Sequence, residues 1–95
     1  MERVDTVELD VSGIKTATQL HELLKNQLRF PSWYGCNWDA FWDSITGFVE
    51  MPKTLKLIGW ALLEANLPSD AALMKRCLNE MELKFPALAA TVVYQ

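Results

Sequence analysis

Two hydrophobic periods alternate along the first third of the 95-residue chain. Residues 3–11 alternate apolar and polar side chains, which predicts a strand with one solvent-facing side. Gly13 breaks that pattern. Leucines then recur at three- and four-residue spacing over residues 20–28, so we predict an amphipathic helix capped by Thr16 or Thr18.

A loop and a second helix follow. Pro31 ends the first helical region, and residues 32–36 contain turn-forming types that predict a loop. Asn37 is a favoured N-cap residue, so we predict a helix from Trp38 to about Gly47, with the glycine as its stop.

The second half of the chain repeats this alternation of elements. Residues 54–58 are rich in β-branched and apolar side chains and predict a strand, and residues 59–65 predict a short helix. Residues 68–70 are a helix-start signal, and Pro86 closes the helix that follows. The buried stripe of that helix is predicted to comprise Met74, Cys77, Leu78 and Met81. Residues 87–94 are nearly all apolar, which is typical of a strand covered on both faces.

The predicted order is therefore β, α, α, β, α, α, β. This order favours an α/β fold with a small three-stranded parallel sheet flanked by about four helices. The length is that of one domain, so we expect residues 1–95 to form a single domain.

Composition narrows the classes of function. The chain carries 9 basic and 12 acidic residues, for a net charge of −3, and 51% of its residues are hydrophobic. This balance predicts a folded protein and argues against direct binding of nucleic acid, which needs clustered basic residues. Residues 1–10 lack the apolar core of a signal peptide, and no run is long enough to span a membrane. We therefore expect a cytoplasmic protein.

The sequence indicates no catalytic histidine or cysteine. His21 is the only histidine and falls on the polar side of the first predicted helix, so we interpret it as structural. Cys36 and Cys77 are too few and too far apart for a disulfide framework or a zinc site. Cys77 lies on an apolar stripe and is expected to pack, whereas Cys36, beside Gly35, is expected to be exposed.

The stretch Phe30–Pro52 concentrates acidic and aromatic residues. It contains no lysine or arginine, and three of the four tryptophans of the chain fall in it within ten residues. Its acids are Asp39, Asp43 and Glu50. A segment of this composition indicates a surface for a cationic protein partner.

Helical spacing divides the predicted second helix into two faces. At about 100° per residue, one face is apolar and suits the core. It comprises Trp38, Phe41 and Ile45. The adjoining face, here named the acidic face, comprises Asp39, Trp42, Asp43 and Thr46. Two carboxylates four residues apart repel each other by roughly 0.2–0.5 kcal/mol, and a tryptophan beside them is costly unless something covers it. A solvated helix face and a functional surface both remain open on spacing alone.

Other chemistry has weaker support. Asp39 and Asp43, with Glu50 as a third carboxylate nearby in the sequence, could hold a hard cation such as Mg²⁺, and a tryptophan-lined carbohydrate site is a second alternative. No glycine-rich phosphate loop and no second histidine for acid–base catalysis is present in the sequence. We therefore expect a protein that is not an enzyme and needs no cofactor.

A motif in the acidic and aromatic stretch resembles the barstar family of intracellular ribonuclease inhibitors. The matching residues are Pro31, Trp33-Tyr34-Gly35, Asn37, Asp39-Ala40, Trp42-Asp43, Thr46-Gly47, Val49-Glu50 and Pro52. The ordered combination is more specific than any one dipeptide and covers about a quarter of the chain. The order of predicted elements extends the resemblance over most of the remainder, because the family has a three-stranded parallel sheet with helices.

The resemblance implies a cytoplasmic inhibitor that binds one-to-one to a small, basic, secreted ribonuclease such as barnase. Its second helix and preceding loop would block the active site of the enzyme. Asp43 matches the chief anchor, Asp39 a second acidic contact, and Trp33 an aromatic that packs on the active-site histidine. Glu80 matches a peripheral acidic contact. The other matched partner-binding positions are Gly35, Asn37, Trp42, Thr46, Gly47 and Phe48.

Two positions depart from the family pattern. Trp33 stands where tyrosine is more usual, and Phe48 stands where tryptophan is common. Both positions keep an aromatic ring, but Trp33 lacks the hydroxyl of tyrosine and Phe48 lacks the indole N–H of tryptophan. The alternative is therefore an immunity or regulatory module that binds a toxin other than a ribonuclease or another basic protein, because a family surface can be turned to another partner.

Overall fold

A computed structural model describes residues 3–95 of the chain, so residues 1 and 2 of the predicted domain lie outside the described part. The strands are β1 (Thr6–Asp10), β2 (Thr54–Ile58) and β3 (Thr91–Tyr94). The α-helices are α1 (Ala17–Leu28), α2 (Trp38–Asp43), α3 (Trp60–Asn66) and α4 (Pro68–Lys84). A π-helical turn (Ser44–Phe48) continues α2. The predicted element order and the α/β class are confirmed.

The three strands form one parallel sheet with β2 in the centre. Thr54 of β2 pairs with Thr6 of β1 on one side and with Thr91 of β3 on the other. Parallel neighbours need long crossover connections, which the helices provide. The first crossover carries α1 and α2, and the second carries α3 and α4.

The apolar periods read from the sequence coincide with the core. Leu9 and Val11 are buried, as the period-two pattern predicts. The leucine stripe of α1 and the apolar stripe of α4 also contribute buried side chains. The helix α1 starts where predicted, because the Thr16 hydroxyl accepts a hydrogen bond of 3.1 Å from the Gln19 backbone amide in a capping box.

The last strand is shorter than predicted and less covered. It spans Thr91–Tyr94, not residues 87–94, and lies at an edge of the sheet with its residues exposed or half-buried. The Ala87 and Ala89 carbonyls instead accept hydrogen bonds of 3.1 and 3.0 Å from the Arg3 guanidinium. Because Arg3 also binds the Met51 carbonyl, it fastens this segment to the start of β2.

No helix within residues 3–95 is both long enough and apolar enough to cross a bilayer.

Candidate functional site

The loop before α2 and the start of that helix form one hydrogen-bonded unit. Asn37 is the N-cap, as predicted, and its side-chain oxygen accepts a 2.7 Å hydrogen bond from the Ala40 amide. Its side-chain nitrogen donates to the Gly35 carbonyl at 3.2 Å. A Cβ atom on Gly35 would lie 3.1 Å from that nitrogen. The small residue at position 35 therefore keeps the cap in place.

His21 of α1 contacts the loop through Tyr34. The sequence predicted His21 on the polar side of α1, but the residue is buried. Only 2% of His21 is exposed, so the predicted placement is wrong. The reason is tertiary: the Tyr34 hydroxyl lies 2.6 Å from His21 Nδ1, and the Trp38 ring packs on the imidazole at 4.4 Å between centroids. Burial lowers the pKa of His21, and the Asp70 carboxylate offsets part of that shift.

Trp38 connects α2 to α4. Its indole N–H donates a 3.0 Å hydrogen bond to the Asp70 carboxylate, and its ring meets Phe41 edge to face at 5.2 Å. The Cys77 thiol lies 4.0 Å from the Trp38 carbonyl and is half-buried, in keeping with the packing role predicted for it. Burial raises the pKa of this thiol. These contacts tie the start of α2 to α4 and to the core.

The two predicted faces of α2 are both present. Phe41 and Ile45 are buried in the core, and Trp38 packs against it. Asp39 and Asp43 are exposed. Among residues 3–95, neither carboxylate has a salt bridge or a side-chain hydrogen bond. The acidic face therefore presents two uncompensated charges to solvent.

Trp42 is covered by another part of the molecule. Its ring is half-buried, with the Phe85 ring 6.4 Å away and the Lys84 ammonium 5.6 Å from its centroid. Lys84 and Phe85, at the C-terminal end of α4, thus shield most of this ring, which helical spacing alone leaves on a charged face. The carbonyl of Trp42 accepts a 2.6 Å hydrogen bond from the Thr46 hydroxyl.

The helical segment ends at Phe48, close to the predicted end at about Gly47, but its last five residues form a π-helical turn. The Val49 amide donates to the Ser44 carbonyl at 3.1 Å, which is the i to i+5 bond of a π-helix. In a regular α-helix, Phe48 would lie within about 20° of Phe41 and face the core. The wider turn changes that direction, and Phe48 is 57% exposed.

Phe48 and Trp33 form an exposed aromatic pair. The Trp33 side chain is 71% exposed, and the two rings meet edge to face at 5.9 Å. Such a pair stabilises by about 0.5–1.5 kcal/mol beyond its buried area, yet most of its apolar surface remains in water. Gly47, next to the pair, has no atom within 4 Å of the position a Cβ would take. The surface here is open to a partner.

Two hollows meet at Asp43. The α2–α4 groove has a volume of about 510 Å³. It is lined by Trp38, Asp39, Trp42, Asp43, Leu73, Arg76, Cys77, Glu80 and Lys84. A smaller hollow of about 110 Å³ contains both members of the aromatic pair together with Gly35 and Asp43. Asp43 is therefore shared by the charged and the aromatic parts of the surface.

The structure thus brings together most of the predicted site residues. Glu80 lies in the same groove as Asp39 and Asp43, although it is distant in sequence, and its carboxylate is 3.6 Å from Arg76. Sequence reasoning missed Arg76 and Lys84, because α4 carries no motif and its charges are ordinary for a solvated helix.

Glu50 lies apart from the other two acids of its stretch. It lines a different hollow, next to Thr46 and Met51. Within residues 3–95 no three acidic, histidine or cysteine side chains gather in a way that could hold a metal ion. The alternative in which Glu50 completes a cation site with Asp39 and Asp43 is therefore not supported by the arrangement.

Comparison with known proteins gives two findings. Residues 4–93 match the family described as Barstar (barnase inhibitor). The chain is also 55% identical over 49 residues to a Bacillus subtilis (strain 168) protein named "Putative ribonuclease inhibitor YrdF". That match covers 52% of this chain and 54% of the relative, so it spans about half the length of each.

Proposed function

The chain belongs to the barstar family, and we propose that it is an inhibitor that blocks the active site of a small basic ribonuclease of the barnase type. It binds one-to-one through the acidic face, the aromatic pair and the loop before α2. It carries out no catalysis itself and requires no cofactor.

The position of Asp43 is the observation that carries this proposal. It is an exposed carboxylate without a salt bridge among the described residues, and it lies where the groove and the smaller hollow meet. A ribonuclease binds the phosphate groups of RNA with lysine and arginine side chains. A carboxylate in the same place makes charge-assisted hydrogen bonds with those cations, which are roughly twice as strong as neutral ones.

The neighbouring residues extend the contact. Asp39 lies one helical turn before Asp43 on the same face and supplies a second negative charge. Trp33 and Phe48 offer flat apolar surface beside these charges, and aromatic side chains are enriched at interface hot spots. The open space at Gly47 allows the backbone of the inhibitor to approach the enzyme closely.

The rigid support under this surface favours tight binding. Three hydrogen bonds hold the loop and the start of α2. Tyr34 bonds to His21 of α1, Trp38 bonds to Asp70 of α4, and Asn37 accepts from the Ala40 amide within α2. A surface that is already ordered loses less conformational entropy on binding than a mobile one. An inhibitor that must occupy a preformed cleft benefits from this arrangement.

Titration of RNA cleavage tests the proposal. Purified barnase at a fixed concentration is mixed with increasing amounts of the protein, and residual cleavage is measured. We expect activity to fall linearly to zero at equimolar inhibitor. The Asp43→Ala variant should inhibit far more weakly, whereas Lys25→Ala on α1 should inhibit like the wild type. Wild-type protein that leaves barnase and several related nucleases fully active would falsify the proposal.

A second candidate is an immunity or regulatory protein directed at a basic toxin that is not a ribonuclease. The departures from the family pattern at Trp33 and Phe48 favour this candidate, since they change the polar groups that the aromatic pair offers to a partner. Affinity capture from lysate and secretions separates the two candidates. The main captured protein should degrade RNA under the first and should not under the second.

A further inference from the structure

The acidic face of α2 is opposed by a basic wall on α4. The groove between the two helices is lined on one side by Asp39 and Asp43 and on the other by Arg76 and Lys84. Neither basic side chain lies within 4.0 Å of either aspartate, so the charges confront each other across open space rather than pairing. The binding surface is therefore split in sign and not uniformly negative.

Lys84 lies over the ring of Trp42. Its ammonium lies 5.6 Å from the centre of the indole ring, where the attraction between a cation and a ring face holds it. A partner that reaches the exposed part of Trp42 must come close to this ammonium. A cationic group on the partner would be repelled there, and a carboxylate would be attracted.

Arg76 offsets the negative charge of Glu80. The two side chains form an ion pair of 3.6 Å, with Arg76 75% exposed and Glu80 41% exposed. Arg76 therefore neutralises much of the field of Glu80, which would otherwise favour a cationic partner on α4. The three charged residues on this wall sum to one positive charge, since Arg76 and Lys84 are each positive and Glu80 is negative.

Resting on the proposed function, we propose that Arg76 and Lys84 determine which ribonuclease this protein inhibits. They select an enzyme whose cleft is cationic where it faces Asp39 and Asp43 and whose rim presents a carboxylate towards α4. An enzyme that is cationic across the whole contact gains at the acidic face and loses at the basic wall. Complementary charge patterns of this kind govern specificity and association rate.

The test uses barnase as the probe, both native and as a panel in which single residues around the rim of its cleft are changed to glutamate. Each form is measured against the wild-type inhibitor and the Arg76→Gln/Lys84→Gln variant. Association rates and Kd values are taken at about 50 mM and about 500 mM salt, since exposed charges are screened over roughly 10 Å at 0.1 M. The control variant Lys15→Gln/Lys25→Gln makes the same change in net charge at two residues that do not line the groove.

We expect the groove variant to bind native barnase severalfold more tightly than the control variant does, with the difference shrinking at high salt. We also expect at least one rim-glutamate barnase to reverse this order and to bind the wild type more tightly than the groove variant. The proposal is also supported if the groove variant binds native barnase and the wild type and the control variant do not, because the basic wall of those two proteins would then exclude the enzyme.

Equal behaviour of the groove and control variants on every probe overturns the role of Arg76 and Lys84, while inhibition of barnase by both leaves the proposed function intact. Failure of the wild type and of both variants to bind any form of barnase overturns this inference, and the proposed function falls with it only if the related nucleases also remain fully active. Circular dichroism of all variants checks that they are folded, which is expected because Lys15, Arg76 and Lys84 are exposed and Lys25 is half-buried.

Discussion

Replacement of Asp43 by asparagine should change folding stability and partner binding in opposite directions. In the free protein, Asp39 and Asp43 are exposed like charges on successive turns, and neither has a salt bridge among the described residues. Such a pair costs about 0.2–0.5 kcal/mol. The substitution removes that repulsion at nearly constant volume. We therefore expect the free energy of unfolding to rise by about that amount, or the Tm by about 1–4 °C for a domain of this size.

Binding should weaken by a much larger amount. If a lysine or arginine of the ribonuclease is buried against Asp43, removal of the carboxylate leaves that cation unpaired at a cost of about 3–5 kcal/mol. The corresponding loss in affinity is about two to three and a half orders of magnitude. Stability and affinity would then have opposite signs, which a merely structural role for Asp43 does not produce.

Asp39→Asn is the matched control. It removes the same repulsion, but Asp39 lies in the first turn of α2, where a negative charge is favoured by the helix dipole by about 0.3–1 kcal/mol. The gain in stability should therefore vanish or reverse. Asp39 also lines the α2–α4 groove but not the hollow beneath the aromatic pair, so its loss should cost less affinity than that of Asp43.

Urea unfolding followed by tryptophan fluorescence gives the stability, and inhibition titrations with barnase give the affinity. The stability gain of Asp43→Asn should disappear at about 1 M salt, where the screening length is about 3 Å. An Asp43→Asn protein that is less stable than the wild type, or that inhibits barnase with unchanged affinity, refutes the reasoning.

Three further outcomes are expected. Gly47→Ala should leave the free protein at least as stable as the wild type, since no atom lies near the new methyl group, while inhibition titrations show weaker binding. Gly59→Ala should lower the free energy of unfolding by more than about 2 kcal/mol in urea, because residue 59 has φ of 79° and its Cβ would lie 2.4 Å from the Ser12 Cβ. Burial lowers the folded-state pKa of His21 below its ordinary value of 6.5, so its contribution to stability is complete above that pH and is lost as pH falls through the folded pKa. Urea midpoints should therefore decline on acidification more steeply in the wild type than in His21→Gln, and equal slopes would contradict this origin.

Local pattern was sufficient to predict the elements and much of the surface. The leucine spacing identified α1, one of the two threonines predicted as its cap, Thr16, occupies that position, and Asn37 marked the start of α2. The division of α2 into two faces needed only the helical period, since Phe41 is buried and Asp43 is exposed. Each of these features depends on residues within a few positions of one another, which is the range in which sequence spacing carries information.

The features that were not predicted depend on contacts between distant segments. His21 is buried because Tyr34 and Trp38 close over it, which the period of α1 alone does not reveal. The end of the second helical segment near Gly47 was predicted, but the π-helical form of Ser44–Phe48 and the outward direction of Phe48 were not. The basic wall on α4 was missed because its charges acquire meaning only when α4 packs against α2.

The long-range contacts explain one of the two unusual features of the second helix and leave the other unexplained. On helical spacing alone, a tryptophan on a charged face and a pair of like charges both indicated a partner. Trp42 has its explanation inside the molecule, since Lys84 and Phe85 cover its ring. The carboxylates of Asp39 and Asp43 have no such compensation among residues 3–95. Our proposal of a cationic partner therefore rests on the two aspartates, and the lysine that covers Trp42 is the residue that we propose restricts which cationic partner can approach them.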